Sequence, residues 1–143
     1  MSTVNISDAI RDIWADNPTL TSEVPVATDA SNRFFEDDIP RLPEGASSAS
    51  FASVADLGSR LVDRYSSGTV YEKSLLITIG TNEKPKTETL YLEFKDALES
   101  SFCGTVTDVG SVCDFVFQSV LFQATPNGFH ECQVNLEITQ ASN

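Results

Sequence analysis

The sequence predicts an α+β fold: a mainly antiparallel sheet with two helices packed on one face and a closing C-terminal β-hairpin. Three observations lead to this class. An amphipathic helix opens the chain, a strand over 70–79 feeds into a second helix over 87–101, and Asn127-Gly128 separates two apolar stretches near the end. Helices and antiparallel strands mixed in this order are typical of α+β domains.

The first helix is indicated by apolar residues at the spacing of one helical face. Asn5 or Ser7 can cap its first turn, and Asn17-Pro18 ends it, because the residue before a proline avoids helical backbone angles. We expect a short helical turn to follow over 19–24. The apolar face consists of Ile6, Ala9, Ile10, Ile13 and Trp14.

A long irregular loop is expected at about 26–50, because this stretch is rich in proline and small polar residues. Residues 33–35 within it could form a short strand. A further strand is expected over 51–55, followed by a turn over 56–60. The whole chain, 1–143, has the length of one domain, and we expect a single one.

The strand over 70–79 carries apolar residues on both faces, which predicts a central position in the sheet. The helix over 87–101 has Thr87 or Thr89 as a candidate cap, with Pro85 just ahead of it. Its buried face is predicted to consist of Leu90, Phe94, Ala97 and Leu98.

Asn127-Gly128 is the strongest turn signal in the chain and predicts a two-residue hairpin loop. With these residues as the loop, Leu121 lies opposite Val134, and the apolar residues of the two strands meet on one face. A slip of one residue would destroy that match. The same register places Ser119 opposite Leu136 and Phe117 opposite Ile138.

The chain carries a net charge of −12, from 21 acidic and 9 basic residues. Affinity for nucleic acids and anionic membranes comes mainly from Lys and Arg, so this charge disfavours both as partners. No stretch approaches the roughly 18 apolar residues of a membrane span. The first residues, MSTVNISDAI, lack the basic and apolar regions of a signal peptide, so we expect none.

We expect no catalytic, cofactor-binding or metal-binding residues. Cys103, Cys113 and Cys132 match no zinc or redox spacing, and we expect Cys113 and Cys132 to face the core as free thiols. Free thiols fit synthesis in a reducing cytoplasm. The single histidine, His130, lies beside the predicted hairpin turn, and the sequence has no Gly-x-Ser-x-Gly motif to accompany it.

The order of these elements resembles that of the tail terminator (tail completion) proteins of long-tailed bacteriophages. The resemblance is one of pattern and spans nearly the whole chain. The corresponding segments are the helix and proline turn at 6–18, the irregular segment with 33–35, Pro40, Pro43 and 51–54, the strand 70–79 with the helix 87–101, and the hairpin 112–139.

The resemblance implies a structural virion protein without enzymatic activity. Such proteins assemble as a ring, commonly a hexamer, on the last ring of the tail tube. There they end tube polymerisation and provide the surface that joins the head. The implied partners are further copies of the chain, the tail tube protein and a head-tail connector or stopper protein. The implied location is the tail or neck of the virion, after synthesis in the bacterial host cytoplasm.

DNA would pass through such a ring without specific binding, and an acidic lumen would repel its phosphates. The loop at 26–50 is a candidate contact for partners, because it could order on assembly. The candidate lumen residues are Glu36, Asp37, Asp38, Glu93, Asp96 and Glu99.

Three other interpretations stay open. The chain could form a different neck ring, such as a stopper. It could be a dimeric α+β module that binds a small ligand or a peptide in an apolar pocket. It could also be an enzyme of unrecognised chemistry, which would require polar residues clustered around His130 in the folded protein.

Overall fold

The computed structural model describes residues 5–29, 31–36, 50–65, 68–107, 110–126 and 128–142. It confirms the predicted α+β class, with a five-stranded sheet and three helices in this part of the chain. In chain order the elements are α1 (Ile6–Ala15), α2 (Pro18–Glu23), β1 (Phe34–Glu36), β2 (Phe51–Tyr65), β3 (Gly68–Thr81), α3 (Lys84–Ser101), β4 (Ser111–Ala124) and β5 (His130–Ser142).

The strands form one sheet in the order β1-β2-β3-β5-β4. All neighbouring strands are antiparallel except β1, which runs parallel to β2. β3 lies in the middle, as the apolar residues on both of its faces predicted. α3 packs on β3 and β5, α1 packs on β1 and β2, and α2 contacts both of these helices.

The core lies between the helices and one face of the sheet. Ile77 and Ile79 of β3 are fully buried on that face, and the residues that alternate with them lie on the opposite face, which we call the open face. Trp14 is buried at the centre of the core. Its ring centroid lies 5.4 Å from that of Phe34 and 5.3 Å from that of Phe94, so one side chain joins α1, β1 and α3.

Two asparagines cap the first two helices. The Asn5 side chain accepts a hydrogen bond of 2.8 Å from the Asp8 N–H, which confirms one of the two predicted caps of α1. Asn17 caps α2, because its side-chain oxygen accepts from two N–H groups of the first turn. The predicted short helical turn is thus confirmed. Pro18 is tolerated at its first position, where an N–H would have no helical partner.

The predicted start of α3 was wrong. The helix begins at Lys84 and includes Pro85 in its first turn, a position that proline tolerates. Thr87 is not a cap but is fully buried, and its hydroxyl donates a 2.8 Å hydrogen bond to the His130 carbonyl. Thr89 lies inside the helix and donates to the Pro85 carbonyl. The predicted buried face is correct for Leu90, Phe94 and Leu98, whereas Ala97 is half-buried.

The predicted turn over 56–60 was also wrong, because β2 continues through it to Tyr65. The strand absorbs the local irregularity as a bulge: the pairing with β3 shifts register between Asp56 and Gly58. Gly58 has a φ of +113°, a conformation that side chains other than glycine rarely adopt. The glycine that suggested a turn therefore serves a bend within a long strand.

The C-terminal hairpin is confirmed, but its predicted register was wrong. The connection spans residues 125–129 and is closed by a 2.8 Å hydrogen bond from the Thr125 N–H to the Phe129 carbonyl. Val120, rather than Leu121, therefore lies opposite Val134. A bulge between Phe117 and Ser119 shifts the register again, so the predicted pairs of Ser119 with Leu136 and Phe117 with Ile138 are replaced by Ser119–Asn135, Phe117–Leu136 and Phe115–Ile138.

Candidate assembly surface

One margin of the sheet is formed by β4, which pairs with β5 on one side. On its outer side, the start of the strand is engaged: the Val112 N–H donates to the Thr105 carbonyl, the Val112 carbonyl accepts from the Gly104 N–H, and Ser111 forms a bridge with Val106. Every residue from Gln118 to Ala124 is exposed. This run includes large apolar side chains, since Leu121 is 53% and Phe122 39% exposed, and Val116 earlier in the strand is 51% exposed. We call the outward side of this strand the β4 edge.

The β4 edge lacks several of the features that usually protect exposed strands from pairing, although the strand contains two bulges. Natural edge strands are commonly blunted by lysines, prolines, short length or inward-pointing charges. β4 has 14 residues, no lysine, no proline and a single charged residue, Asp114. A bulge does occur between Val112 and Asp114, and it turns Cys113 outward. The prediction that Cys113 faces the core was therefore wrong.

Among the described residues, the opposite margin of the sheet also has no second neighbour over most of its length. β1 pairs only with residues 52–54 of β2, so the remainder of β2 has β3 as its one neighbour among the described strands. Leu57, Leu61 and Val62 are 56%, 46% and 49% exposed there. We call β1 together with residues 56–65 the β1/β2 edge.

The described members of the predicted acidic lumen lie on two different elements, β1 and α3. Glu36 lies on β1 at the sheet margin, whereas α3 lies over β3 and β5. On α3, Asp96 and Glu99 are exposed, but Glu93 accepts a 3.0 Å hydrogen bond from the Asn17 side chain and so also links α3 to the cap of α2. Asp37 and Asp38 lie outside the described residues.

The open face of the sheet carries a second group of acidic residues that the sequence analysis missed. Glu72 and Glu137 lie on it, and the Glu137 carboxylate accepts a 2.5 Å hydrogen bond from the Gln118 side chain. The Arg60 guanidinium pairs with Glu72 at 2.6 Å, and its hydrogen bond to that carboxylate raises the pKa of Arg60. Alternation along β3 and β5 is the signal that could have located this face.

The groups capable of catalysis are scattered. Cys132 is buried in the core, and burial raises the pKa of its thiol to about 12, which makes it a poor nucleophile. Its thiol and those of the exposed Cys103 and Cys113 are free. Across the described ranges, no three His, Cys, Asp or Glu residues group as a metal site.

His130 begins β5 and borders a small cleft of about 220 Å³, together with Lys84 and Glu131. Burial raises the pKa of the Glu131 carboxyl. Within the part of the chain that the structure covers, no hydrogen bond or ion pair joins these three side chains, and the neighbouring Thr87 hydroxyl is already engaged with the His130 backbone carbonyl. The cleft therefore offers no nucleophile positioned beside a base.

A groove lies between α1 and the end of α3. It has a volume of about 470 Å³ and is open to solvent, with Asp12 and Asp16 on one wall and Ala97 and Ser100 on the other. No helix of the described chain is long and apolar enough to cross a membrane. The predicted contact loop at 26–50 contains the confirmed strand β1, and its residues 37–49 lie outside the described chain.

The described residues define a class: an α+β domain with helices on one face of the sheet and exposed strand segments at both margins. No family model and no curated protein matches the sequence. One solved structure with the same fold is a chain from "Virion of native gene transfer agent (GTA) particle", with a TM-score of 0.64 at 12% sequence identity. The match covers 96% of each chain.

Proposed function

We propose that this chain is a structural protein of a phage-like virion that works by binding other protein subunits. The observation that carries the proposal is the likeness to a chain of a gene transfer agent virion over nearly the full length of both. The two apolar sheet edges support it, because large exposed apolar patches are typical of surfaces buried on assembly. The scattered polar groups support a role without bond chemistry.

Within the virion, we propose a ring, of six copies, that caps the tail tube, ends its polymerisation and provides the surface to which the head joins. The order of elements that resembles tail terminators supports this role. The partners would be the tail tube protein below and a connector or stopper protein above. A ring with a net negative charge also suits the passage of DNA, because repulsion of phosphates prevents adhesion.

The mass of the protein in solution, measured by light scattering over a range of concentrations, tests the ring. A species of six subunits is expected. Purified tail tube protein then tests the cap: the chain should bind tube ends and stop elongation when it is added during polymerisation. Tubes that elongate equally with and without it would refute the cap but not the ring, and would favour the stopper role. A stable dimer would favour the ligand-binding module.

The acidic lumen is tested by neutralising Asp96 and Glu99 together. The expected result is stronger retention of duplex DNA by the assembled ring at low salt, because fewer carboxylates repel the phosphates. The matched control neutralises Asp12 of α1 and Asp16 at its C-terminal end, which are also exposed and give the same change in net charge. Equal DNA retention by the two variants would show that α3 does not line the channel.

A further inference from the structure

We infer that the β4 edge of one copy pairs with the β1/β2 edge of a second copy, in antiparallel orientation, so that one sheet continues from subunit to subunit. This inference deepens the proposed function by naming the surface through which the copies of the ring join. It follows from the direction of the strands, from their alignment across the sheet and from the chemistry of the two edges.

The strand directions fit such a contact. β2 is antiparallel to β3, β3 to β5, and β5 to β4, so β2 and β4 run in opposite directions within one copy. A rotation about an axis along the strands leaves every strand direction unchanged. When copies are arranged by that rotation, the β4 edge of one meets the β1/β2 edge of the next with antiparallel strands. Each copy uses each edge once, which is the head-to-tail contact that closes a ring.

The charges of the two edges also match. Asp114, the only charged residue of β4, is aligned across the sheet with Thr139, then Glu72, then Arg60 on β2. The rotation therefore brings Asp114 of one copy level with Arg60 of the next. The Arg60 side chain is 76% exposed and has donors left to reach a second carboxylate.

The apolar residues are aligned in the same way. Leu121 of β4 is level with the half-buried Phe35 of β1, through three intervening strands, whereas Phe122 is level with Phe34, whose side chain is buried in the core. β1 runs parallel to β2, so it too meets a neighbouring β4 in antiparallel orientation. Residues 104–106 already bond to the start of the β4 edge at Ser111 and Val112. Beyond that start, residues 120–122 face β1 of the next copy and the earlier residues face β2. Pairing there would satisfy N–H and C=O groups at the sheet margin.

A second copy is the occupant that these observations select. The chain itself carries both halves of the contact, with opposite margins that match in direction, charge and apolar character. Pairing of two β4 edges around a twofold axis is the competing arrangement. It would bring two Asp114 residues into the same interface and leave the β1/β2 edge bare.

The native Cys113 provides a direct test. Its neighbours in β4 are aligned with Arg60 and Leu61, so the rotation places Cys113 level with these two residues of the next copy. In a Cys103→Ser background, Leu61→Cys should form a disulfide between subunits on mild oxidation, because directly opposed strand residues lie near disulfide distance. If β4 of one copy and β2 of the next pair with a stagger of a few residues, Leu57→Cys should form the disulfide with Cys113 instead. Glu88→Cys, on the exposed side of α3, is the matched control and should remain monomeric on a non-reducing gel.

The alternative arrangements give different band patterns on the non-reducing gel. Disulfide-linked subunits with Leu61→Cys or Leu57→Cys, but not with Glu88→Cys, support the inference. No intersubunit disulfide at either β2 position, while light scattering shows a ring, overturns the edge contact and leaves the proposed ring standing. A protein that is monomeric at every concentration overturns the inference, and the tail tube experiment then decides on the cap separately. A disulfide between two copies of the Ser119→Cys variant, in a protein without Cys103 and Cys113, would show the twofold arrangement instead.

A charge placed on the β4 edge gives an independent measurement. Leu121→Lys should weaken self-association at least about tenfold, since a lysine on an edge strand is a common means of blocking edge pairing. Leu92→Lys on α3 is the matched control, because Leu92 is 56% and Leu121 53% exposed. Equal association of the two variants would overturn the inference. Circular dichroism verifies that both variants are folded.

Discussion

Gly80→Ala tests a close approach at one end of the open face. The Phe51 ring lies over Gly80, and a Cβ added at this glycine would come 2.3 Å from Phe51 Cε1 and 2.6 Å from its Cζ. Phe51 cannot move away freely, because it is 6% exposed and its ring centroid lies 5.7 Å from that of Phe129. Forcing extra volume into such a site costs about 1–3 kcal/mol. The midpoint of thermal unfolding should fall by roughly 3–9 °C for a chain of this size.

The cause of the loss can be isolated with a double-mutant cycle. Leucine at position 51 lacks the outer ring atoms that the new methyl group would strike, so the loss caused by Gly80→Ala should fall by at least about 0.5 kcal/mol in a Phe51→Leu background. Urea titration, followed by the fluorescence of Trp14, the single tryptophan, measures the free energy of unfolding of each protein in the cycle. Gly58→Ala is the control: it is strained by its positive φ, has nothing within 4 Å of the new Cβ, and should not couple to Phe51→Leu. An equal loss from Gly80→Ala in both backgrounds would refute the steric argument.

Three further changes have expected outcomes. Glu131→Gln should raise the melting temperature at pH 7. Burial raises the pKa of this carboxyl in the folded protein, so its ionisation opposes folding once the pH exceeds the ordinary pKa of glutamate. The gain should therefore vanish below about pH 4. Phe94→Ala should lower the free energy of unfolding by about 3–5 kcal/mol in urea titrations, whereas Leu92→Ala on the exposed side of the same helix should change it by less than about 0.5 kcal/mol. Thr87→Val keeps the shape but removes the hydroxyl bonded to the His130 carbonyl, and a loss of about 1–3 kcal/mol is expected; an unchanged urea midpoint would contradict that hydrogen bond.

The sequence was informative wherever one periodicity persisted. The apolar face of α1, the central strand β3 and the buried face of α3 were all found from side-chain spacing, because burial on one side imposes that spacing. The α+β class followed from these elements. The Asn127-Gly128 signal located the hairpin correctly, although the connection is longer than the two residues it suggested.

The failures arose where a bulge or a local signal competed with the wider sheet. Gly58 suggested a turn, yet pairing with β3 kept the chain extended through it. The longer connection at 125–129 changed the partner of Val120, and two bulges farther along β4 shifted the register again and exposed Cys113. A bulge adds a residue to one strand only, so alternation read from that strand alone cannot reveal it.

The candidate surface was hidden for a different reason. The apolar residues of β4 were visible in the sequence and were interpreted as core. Whether such a residue is buried depends on the position of its strand in the sheet, and that position is set by tertiary pairing. The sequence placed β3 at the centre from its composition, but the same criterion applied to β4 would also have predicted a central strand, and the structure places it at the margin.

The length of β2 has a consequence for the motions of the free protein. Its first residues, such as Val54, are held under the helices, whereas residues 56–62 are mostly exposed and pair with β3 alone. Backbone amides in that outer segment should exchange with solvent through local opening, while those of Ile77 and Ile79 exchange only when the whole domain unfolds. Any contact made there must therefore also order this segment of the strand, which reduces the net free energy of the contact. The core beneath the helices can stay intact while this margin of the sheet adjusts to a neighbour.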